Sequence, residues 1–131
     1  MSSFVSMVEG YFSFLIDYGF LRRKDMDTHT SMYESVIYSG KHLRVDISVE
    51  LIGPKYVSLY LVAGNKVVDF EEYLMRKFKF RGMELPEFKS IYSGIDNEVE
   101  KQIFRKEYLM KNLAIHQMQD SEDELVLPPL F

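Results

Sequence analysis

Residues 42–51, His-Leu-Arg-Val-Asp-Ile-Ser-Val-Glu-Leu, decide the fold because apolar and polar side chains alternate along them without a break. Successive side chains of an extended strand point to opposite faces of a sheet, so this stretch predicts a strand with one apolar and one polar face. A helix would scatter the same apolar residues around its circumference. The apolar face carries Leu43, Val45, Ile47, Val49 and Leu51, and the polar face carries His42, Arg44, Asp46, Ser48 and Glu50.

The segments on either side of this strand predict further strands. Residues 32–38 and 56–63 are rich in β-branched and aromatic side chains, and Val67-Val68 predicts a short fourth strand. Short turns that contain glycine separate these segments from one another. Short connections of this kind favour neighbouring antiparallel strands, so we expect an antiparallel meander.

Three segments predict helices that cover the sheet. Residues 4–18 have apolar side chains at helical spacing, and Asp69-Phe70-Glu71-Glu72 matches a capping box that starts a helix over about 70–78. A third helix is predicted from 96 to about 117. A sheet with one apolar face must be covered by helices. We therefore predict an α+β fold, with an antiparallel sheet of three to four strands covered on one face by two to three helices in a two-layer sandwich.

The remaining segments are predicted to be connections or a tail. Arg22-Arg23-Lys24-Asp25 is predicted to be a charged, exposed connector, and residues 79–95 are punctuated by glycine and proline and are predicted to form a loop that packs against the body. We expect one α+β domain over residues 1–119. Residues 120–131 are predicted to be a tail, first acidic and then apolar.

The composition excludes several classes of protein. The chain has 131 residues, 47% of them hydrophobic and 27% charged, as expected of one globular domain. It has no cysteine, so disulfides and thiolate metal sites are excluded, and we expect a cytoplasmic protein. We expect neither a signal peptide nor a membrane span, because Glu9 and Asp17 interrupt the apolar N-terminal stretch. The net charge of −4 argues against a nucleic-acid-binding protein.

No motif of catalysis or cofactor binding stands out in the sequence. The three histidines lie far apart, and the chain contains no HExxH, no GxSxG elbow and no glycine-rich phosphate loop. His42 and Asp46 could contribute to an acid–base group, but the pattern favours an ordinary solvated sheet face. We therefore predict a protein that is not an enzyme and that has no metal or cofactor.

Two sets of polar residues are candidates for binding a partner. The polar face of the central strand and an acidic run near the C-terminus would both complement a basic protein surface, because opposite charges speed the encounter of two proteins. The candidate residues are His42, Arg44, Asp46 and Glu50 on the strand, and Asp120, Glu122, Asp123 and Glu124 in the acidic run.

A basic stretch at the end of the second predicted helix is a candidate anion-binding site. Cations alternate there with phenylalanines, a composition that can contact phosphates and stack on bases. The structural alternative is that the cations face the negative end of the helix dipole while the aromatic rings are buried. The candidate residues are Arg76, Lys77, Lys79 and Arg81.

The order of elements over residues 4–75 resembles that of small uncharacterised bacterial α+β proteins, which include immunity proteins of polymorphic toxin systems. The resemblance is carried by Tyr18-Gly19-Phe20, by the strand Tyr33–Tyr38 and by the capped helix Asp69-Phe70-Glu71-Glu72-Tyr73-Leu74. It implies an inhibitor that acts by covering the surface of a toxin. It transfers no functional residue.

These observations together predict a non-enzymatic protein-binding domain of the immunity type, which covers a basic surface on a toxin or an enzyme. Two alternatives stay open. The first is a small-molecule-binding or catalytic α+β sandwich with an aromatic pocket. The second is a structural homo-oligomer joined through a sheet edge or through the apolar tail.

Overall fold

The computed structural model describes residues 3–41, 43–78 and 86–114, which fold into helices packed on an antiparallel sheet. The helices are α1 Ser3–Tyr11, α2 Phe14–Asp17, α3 Phe70–Phe78, α4 Pro86–Ser93 and α5 Glu98–Leu109. The strands are β1 Leu21–Arg22, β2 Thr28–His29, β3 Tyr33–Ser39, β4 Arg44–Glu50, β5 Val57–Ala63 and β6 Lys66–Asp69. A 3₁₀ turn, Lys24–Met26, separates β1 from β2, and a π-helical turn, Met110–Ala114, continues α5.

The sheet has the order β1-β3-β4-β5-β6, and β2 pairs with β3 on the same edge as β1. Every pair is antiparallel, which confirms the predicted α+β fold with an antiparallel sheet. The prediction of three to four strands was wrong, because the described residues form six. The two extra strands, β1 and β2, have only two residues each, which is too short for an alternating pattern to show in the sequence.

The central strand β4 has the predicted alternation, and its apolar side chains are buried. The register aligns Val36, Ile47 and Leu59 across β3, β4 and β5, and all three are almost completely inaccessible to solvent. Because alternate residues of each strand share a face, Tyr38, Val45 and Leu61 form the next row on one side, and Val49 and Val57 extend the face on the other side, where β3 contributes Glu34. The result is one continuous apolar face, which is the floor of the core.

Helices α1, α3 and α5 bring the side chains that complete this core. The described residues contain five helices, more than the predicted two to three, although α2 is only one turn long. The segment predicted as a single helix over 4–18 is divided into α1 and α2. The residues of α1, α3 and α5 that join the main core are Phe4, Val5, Val8, Phe70, Tyr73, Leu74, Ile103 and Leu109, and Phe12 between α1 and α2 and Leu15 of α2 join them.

Capping side chains explain where α3 and α5 begin. The carboxylate of Asp69 accepts a hydrogen bond from the Glu72 backbone N–H at 3.0 Å, so the predicted start of α3 is confirmed. Asn97 does the same for α5, accepting from the Glu100 N–H at 2.9 Å. In the ranges that the structure describes, every helix falls short of the length and hydropathy that crossing a membrane requires.

Two predicted segments need correction or lie outside the described ranges. Helix α4, Pro86–Ser93, occupies part of the segment 79–95 that was predicted to be a loop. Proline is favoured at the first position of a helix, because the N–H that it lacks has no partner there anyway. Residues 79–85 and 115–131, which include the acidic run and the apolar tail, lie outside the described residues.

Candidate functional site

The second face of the sheet carries the polar side chains that were predicted on β4. The register places Ile37, Asp46, Tyr60 and Asp69 in one row across four strands. The next row consists of three serines, Ser35, Ser48 and Ser58, and the first two of these are buried. The polar face therefore has a row of small side chains next to a row that contains the larger Ile37 and Tyr60.

The candidate residues on β4 do not form one group. Arg44 and Asp46 pair with each other through two hydrogen bonds, with Nε–Oδ1 at 2.8 Å and Nη2–Oδ2 at 3.0 Å. A partner that used either charge would have to compete with this pair. Glu50 lies at the far end of the strand and is exposed, with no ion-pair partner among the described residues. His42 lies outside the described residues.

Of the candidate anion-binding residues, the structure describes the side chain of Arg76. Its guanidinium pairs with Glu72, one turn earlier in α3, with an Nη2–Oε1 distance of 2.5 Å. The positive charge of Arg76 is therefore partly neutralised by a carboxylate of the same helix. Lys79, Arg81 and the side chain of Lys77 lie outside the description, as do Asp120, Glu122, Asp123 and Glu124.

A buried ionic cluster that the sequence did not predict surrounds Arg22. Its guanidinium donates to both oxygens of Asp27, at 2.7 and 2.6 Å, and to Glu9 of α1 at 3.0 Å. The hydrogen bonds with Asp27 raise the pKa of Arg22 above its usual value. The guanidinium also lies 5.6 Å from the centre of the Tyr38 ring, and burial raises the pKa of Tyr38 to about 12. This cluster ties α1 to the edge of the sheet, so its role is structural.

A second group of aromatic side chains fills the space between α4 and α5. Phe88 stacks on Phe104 with ring centroids 5.5 Å apart, and Tyr108 lies 5.1 Å from Phe88. Tyr11 joins the group and donates to Glu100 at 2.8 Å, and its pKa is raised to about 12 by burial and by that hydrogen bond. These rings pack on one another and so act as a second core.

Four exposed apolar side chains lie near one end of the sheet, where β3 begins and where the chain passes from β4 to β5. Met32, Tyr33, Ile52 and Tyr56 have exposed fractions of 60%, 37%, 61% and 68%, and we call this group the loop-end patch. The segment before β3, which carries Met32, is hydrogen-bonded to the loop between β4 and β5, which carries Ile52 and Tyr56. In this bond the Leu51 N–H donates to the Met32 carbonyl at 2.9 Å. Contiguous exposed apolar side chains of this kind commonly mark interaction sites.

Two adjacent cavities open beside the loop-end patch. The larger, of about 610 Å³, is bounded by Pro54 and Tyr56 on one side and by the first turn of α5 on the other. The smaller, of about 180 Å³, reaches down to Phe4 and Val49 at the end of the core. Lys55, Asn97 and Val99 line both cavities, so the two form one crevice, to which we refer as the crevice below.

Gln102 fixes the wall of this crevice. Its side-chain amide donates to the Lys55 carbonyl at 2.8 Å, and its carbonyl accepts from the Val57 N–H, also at 2.8 Å. These groups belong to the backbone just before and at the start of β5. One side chain on α5 therefore holds the loop that presents Ile52 and Tyr56.

The charges around the loop-end patch and the crevice are predominantly acidic. Glu34 lines the smaller cavity and Glu98 the larger one, and Glu50 and Glu98 have no ion-pair partner within the described ranges. Lys55 is the cation that lines the crevice. Apart from Glu50, the residues of this site were not identified from the sequence, because the site is assembled from the segments before and after β4 and from α5, which lie far apart in the chain.

The described residues include no group of three or more histidine, aspartate and glutamate side chains placed to hold a metal ion. The site consequently consists of apolar and acidic side chains around a crevice. Comparisons with known proteins returned no matching family model, no matching curated protein and no matching solved structure.

Proposed function

We propose that this protein is a non-enzymatic binding domain that docks a basic partner protein on the loop-end patch. The observation that carries the proposal is the exposure of Met32, Ile52 and Tyr56 on two hydrogen-bonded loops and of Tyr33 at the start of β3. Tyrosine and methionine are enriched in protein interfaces, because they bury much area. Leaving four such side chains in water is unfavourable unless a partner covers them.

The charges support a basic partner. Glu50 pairs with Tyr33 across the sheet and Glu98 lines the larger cavity together with Tyr56, and neither has an ion-pair partner among the described residues, while Lys55 is a cation in the same lining. Carboxylates at the rim of an interface steer an oppositely charged protein into place and raise the association rate. The four carboxylates of residues 120–124 add negative charge to the same chain.

Among basic partners we favour a toxin or an enzyme that the domain inhibits by covering its surface, as an immunity protein does. This preference depends on the resemblance over residues 4–75 and on the acidic charge. The absence of cysteine is compatible with a reducing compartment, and we propose that the domain acts in a bacterial cytoplasm.

Site-specific photo-crosslinking tests the proposal. A photoreactive phenylalanine analogue replaces Ile52 in cells that make the protein naturally, and mass spectrometry identifies the captured protein. The matched control carries the analogue at Val67, which has an exposed fraction of 63% but lies near the opposite end of the sheet. The two positions are separated by about 20 Å along β5.

We expect the Ile52 probe to capture one basic protein that the Val67 probe does not capture. With that protein purified, Tyr56→Ala should weaken binding about tenfold or more, because truncating a central aromatic residue of an interface has effects of this size. The proposal fails if both probes give the same products or if the captured protein is acidic. Capture of a second copy of the chain would favour the homo-oligomer instead.

A further inference from the structure

We propose that Glu50, with the tyrosine rings of Tyr33 and Tyr56 on either side of it, binds one arginine side chain of the partner. This inference rests on the proposed function, and it names the residue by which the site recognises a basic protein. The three side chains belong to the face of the sheet opposite the core, and the two tyrosines are also part of the loop-end patch.

The backbone register places these three side chains in one row. Tyr33 lies directly opposite Glu50 in the pairing of β3 with β4. On the other side of β4, the Glu50 N–H donates to the Tyr56 carbonyl at 3.4 Å, which continues the pairing with β5 by one residue. The side chains of directly opposite residues lie on the same face of a sheet. Glu50 therefore has one tyrosine beside it in each direction across the strands.

All three side chains are accessible to a ligand. Tyr33, Glu50 and Tyr56 are exposed, and Glu50 has no ion-pair partner among the described residues. Lys55, which precedes Tyr56 in the chain, lines the crevice on the helix side of the sheet. The carboxylate of Glu50 is consequently available to a cation from another molecule.

The spacing of the row suits a single cation. Neighbouring strands are about 4.8 Å apart, so the backbones at Tyr33 and Tyr56 are separated by about 10 Å across β4. A cation is attracted to an aromatic ring when it lies within about 6 Å of the ring centre. A cation bound to Glu50, midway between the two backbones, can therefore interact with both rings. The next row on this face consists of the three serines, whose small side chains leave room for the stem of the bound residue.

The chemistry of the row favours arginine over lysine. A planar guanidinium can donate two hydrogen bonds to a carboxylate and stack on an aromatic ring, whereas an ammonium group is a compact charge without this fixed geometry. The protein already contains such an arrangement in its interior. Arg22 donates two hydrogen bonds to Asp27 and lies 5.6 Å from the centre of the Tyr38 ring. The exposed row provides the carboxylate and the rings, and the partner would provide the arginine.

Parallel selections from one random-peptide phage library test the inference. The targets are the intact wild type and Glu50→Gln, which removes the charge and keeps the size of the side chain. We expect arginine to be enriched in the peptides that bind the wild type and not in those that bind Glu50→Gln. The matched control is Glu98→Gln, which removes one negative charge from the crevice and should leave the enrichment of arginine unchanged.

A peptide selected on the wild type is then made synthetically and titrated against the variants. Glu50→Gln should weaken its binding about tenfold or more, the size expected for the loss of a charge-assisted pair of hydrogen bonds. Replacing the arginine of the peptide by citrulline, which has a similar shape and no charge, should weaken binding at least as much. Replacement by lysine should also weaken it.

Substitutions of the tyrosines test the role of the rings. Tyr33→Leu and Tyr56→Leu should each weaken peptide binding about two- to fivefold, whereas Tyr33→Phe and Tyr56→Phe should preserve it, because the face of the ring and not the hydroxyl attracts the cation. Tyr60→Leu, at an exposed position of the same face but in the row of Asp46, is the matched control. These positions are exposed, so we expect thermal unfolding of the variants to match that of the wild type.

The inference is overturned if arginine is not enriched, if it is enriched equally on Glu50→Gln, or if lysine serves as well as arginine. Loss of binding in Glu98→Gln but not in Glu50→Gln would also overturn it. These outcomes are separate from the photo-crosslinking result. A partner captured at Ile52 that binds Glu50→Gln at full affinity would leave the proposed function standing and remove the arginine site from the interface.

Discussion

The guanidinium of Arg22 donates two hydrogen bonds to the carboxylate of Asp27, at 2.7 and 2.6 Å. The two side chains are only 12% and 5% exposed. One residue later the chain repeats the same arrangement at the surface. Arg23 and Asp25 also form a two-bond pair, but their side chains are 39% and 65% exposed. The two pairs provide an internal comparison of one interaction in two environments.

We expect Arg22→Leu and Asp27→Asn each to lower the free energy of unfolding by about 3 kcal/mol, because each leaves a buried charge without its partner. Urea unfolding of the single and double variants gives the coupling energy, which should exceed 1 kcal/mol or so. The same substitutions at Arg23 and Asp25 should cause no measurable loss, because water solvates those charges. Equal losses at the two pairs would show that burial does not determine the strength of this interaction.

Gln102 is expected to stabilise the start of β5 through the backbone rather than through packing. Gln102→Leu should cost about 1 to 3 kcal/mol, because it leaves the Val57 N–H and the Lys55 carbonyl without their partner. Gln102→Glu keeps an acceptor for Val57 but no donor for Lys55. Amide hydrogen exchange should therefore be faster at Val57 in Gln102→Leu and remain slow in Gln102→Glu, and equally fast exchange in both would contradict this assignment.

The ion pairs of Glu71 make the stability of the fold depend on pH. Burial raises the pKa of Glu71, but the hydrogen bond from Lys106 at 2.6 Å and the charges of Lys106 and Arg105 outweigh it, so the pKa lies below the usual 4.5. A depressed carboxyl pKa stabilises the folded state above the unfolded-state pKa, and this contribution is lost as the pH falls through the folded-state pKa.

Glu71→Gln should accordingly be less stable than the wild type by about 1 to 2 kcal/mol at neutral pH. The difference should shrink as the pH falls below 4.5 and the wild-type carboxylate takes up its proton. Urea midpoints at neutral and acidic pH check this, with Glu87→Gln as the exposed control. A difference that stays the same at both pH values would mean that the ion pairs contribute little.

The central strand is expected to be the most sensitive part of the sheet. Ile47→Ala should lower the free energy of unfolding by about 3 to 4 kcal/mol, because Ile47 is fully buried between Val36 and Leu59 and its removal leaves a cavity. The control is Val67→Ala at an exposed position of β6, which should change stability by less than about 0.5 kcal/mol. Similar losses at the two positions would contradict the assignment of β4 to the core.

Local sequence patterns predicted the elements that local chemistry determines. Strand β4 follows from its alternation, and α3 follows from the capping box in which Asp69 accepts from the Glu72 N–H. Strands β1 and β2 could not be predicted, because each has only two residues and pairs with β3 through the backbone, which leaves no pattern of side chains to recognise. The prediction that residues 22–25 are exposed is correct for Arg23 and wrong for Arg22. The Arg22 side chain is buried by tertiary contacts, which the local sequence does not reveal.

The candidate site was harder to predict than the fold. Glu50 was identified from the sequence and borders the loop-end patch. Ile52 and Tyr56, however, flank a Gly-Pro turn, and no periodic pattern in the sequence distinguishes an exposed loop side chain from a buried one. The helix α4 was missed for a related reason, because Pro86 can start a helix as readily as it ends one.

Asp27 also protects the edge of the sheet against pairing with another molecule. One of its oxygens accepts the backbone N–H of Ile37 at 3.1 Å, in the gap that the 3₁₀ turn leaves between β1 and β2. A strand from another molecule would need the Ile37 N–H in order to pair with β3 at this point, and the Asp27 carboxylate already accepts from that donor. Replacing this carboxylate should increase amyloid-like aggregation of the folded protein, in addition to its effect on unfolding.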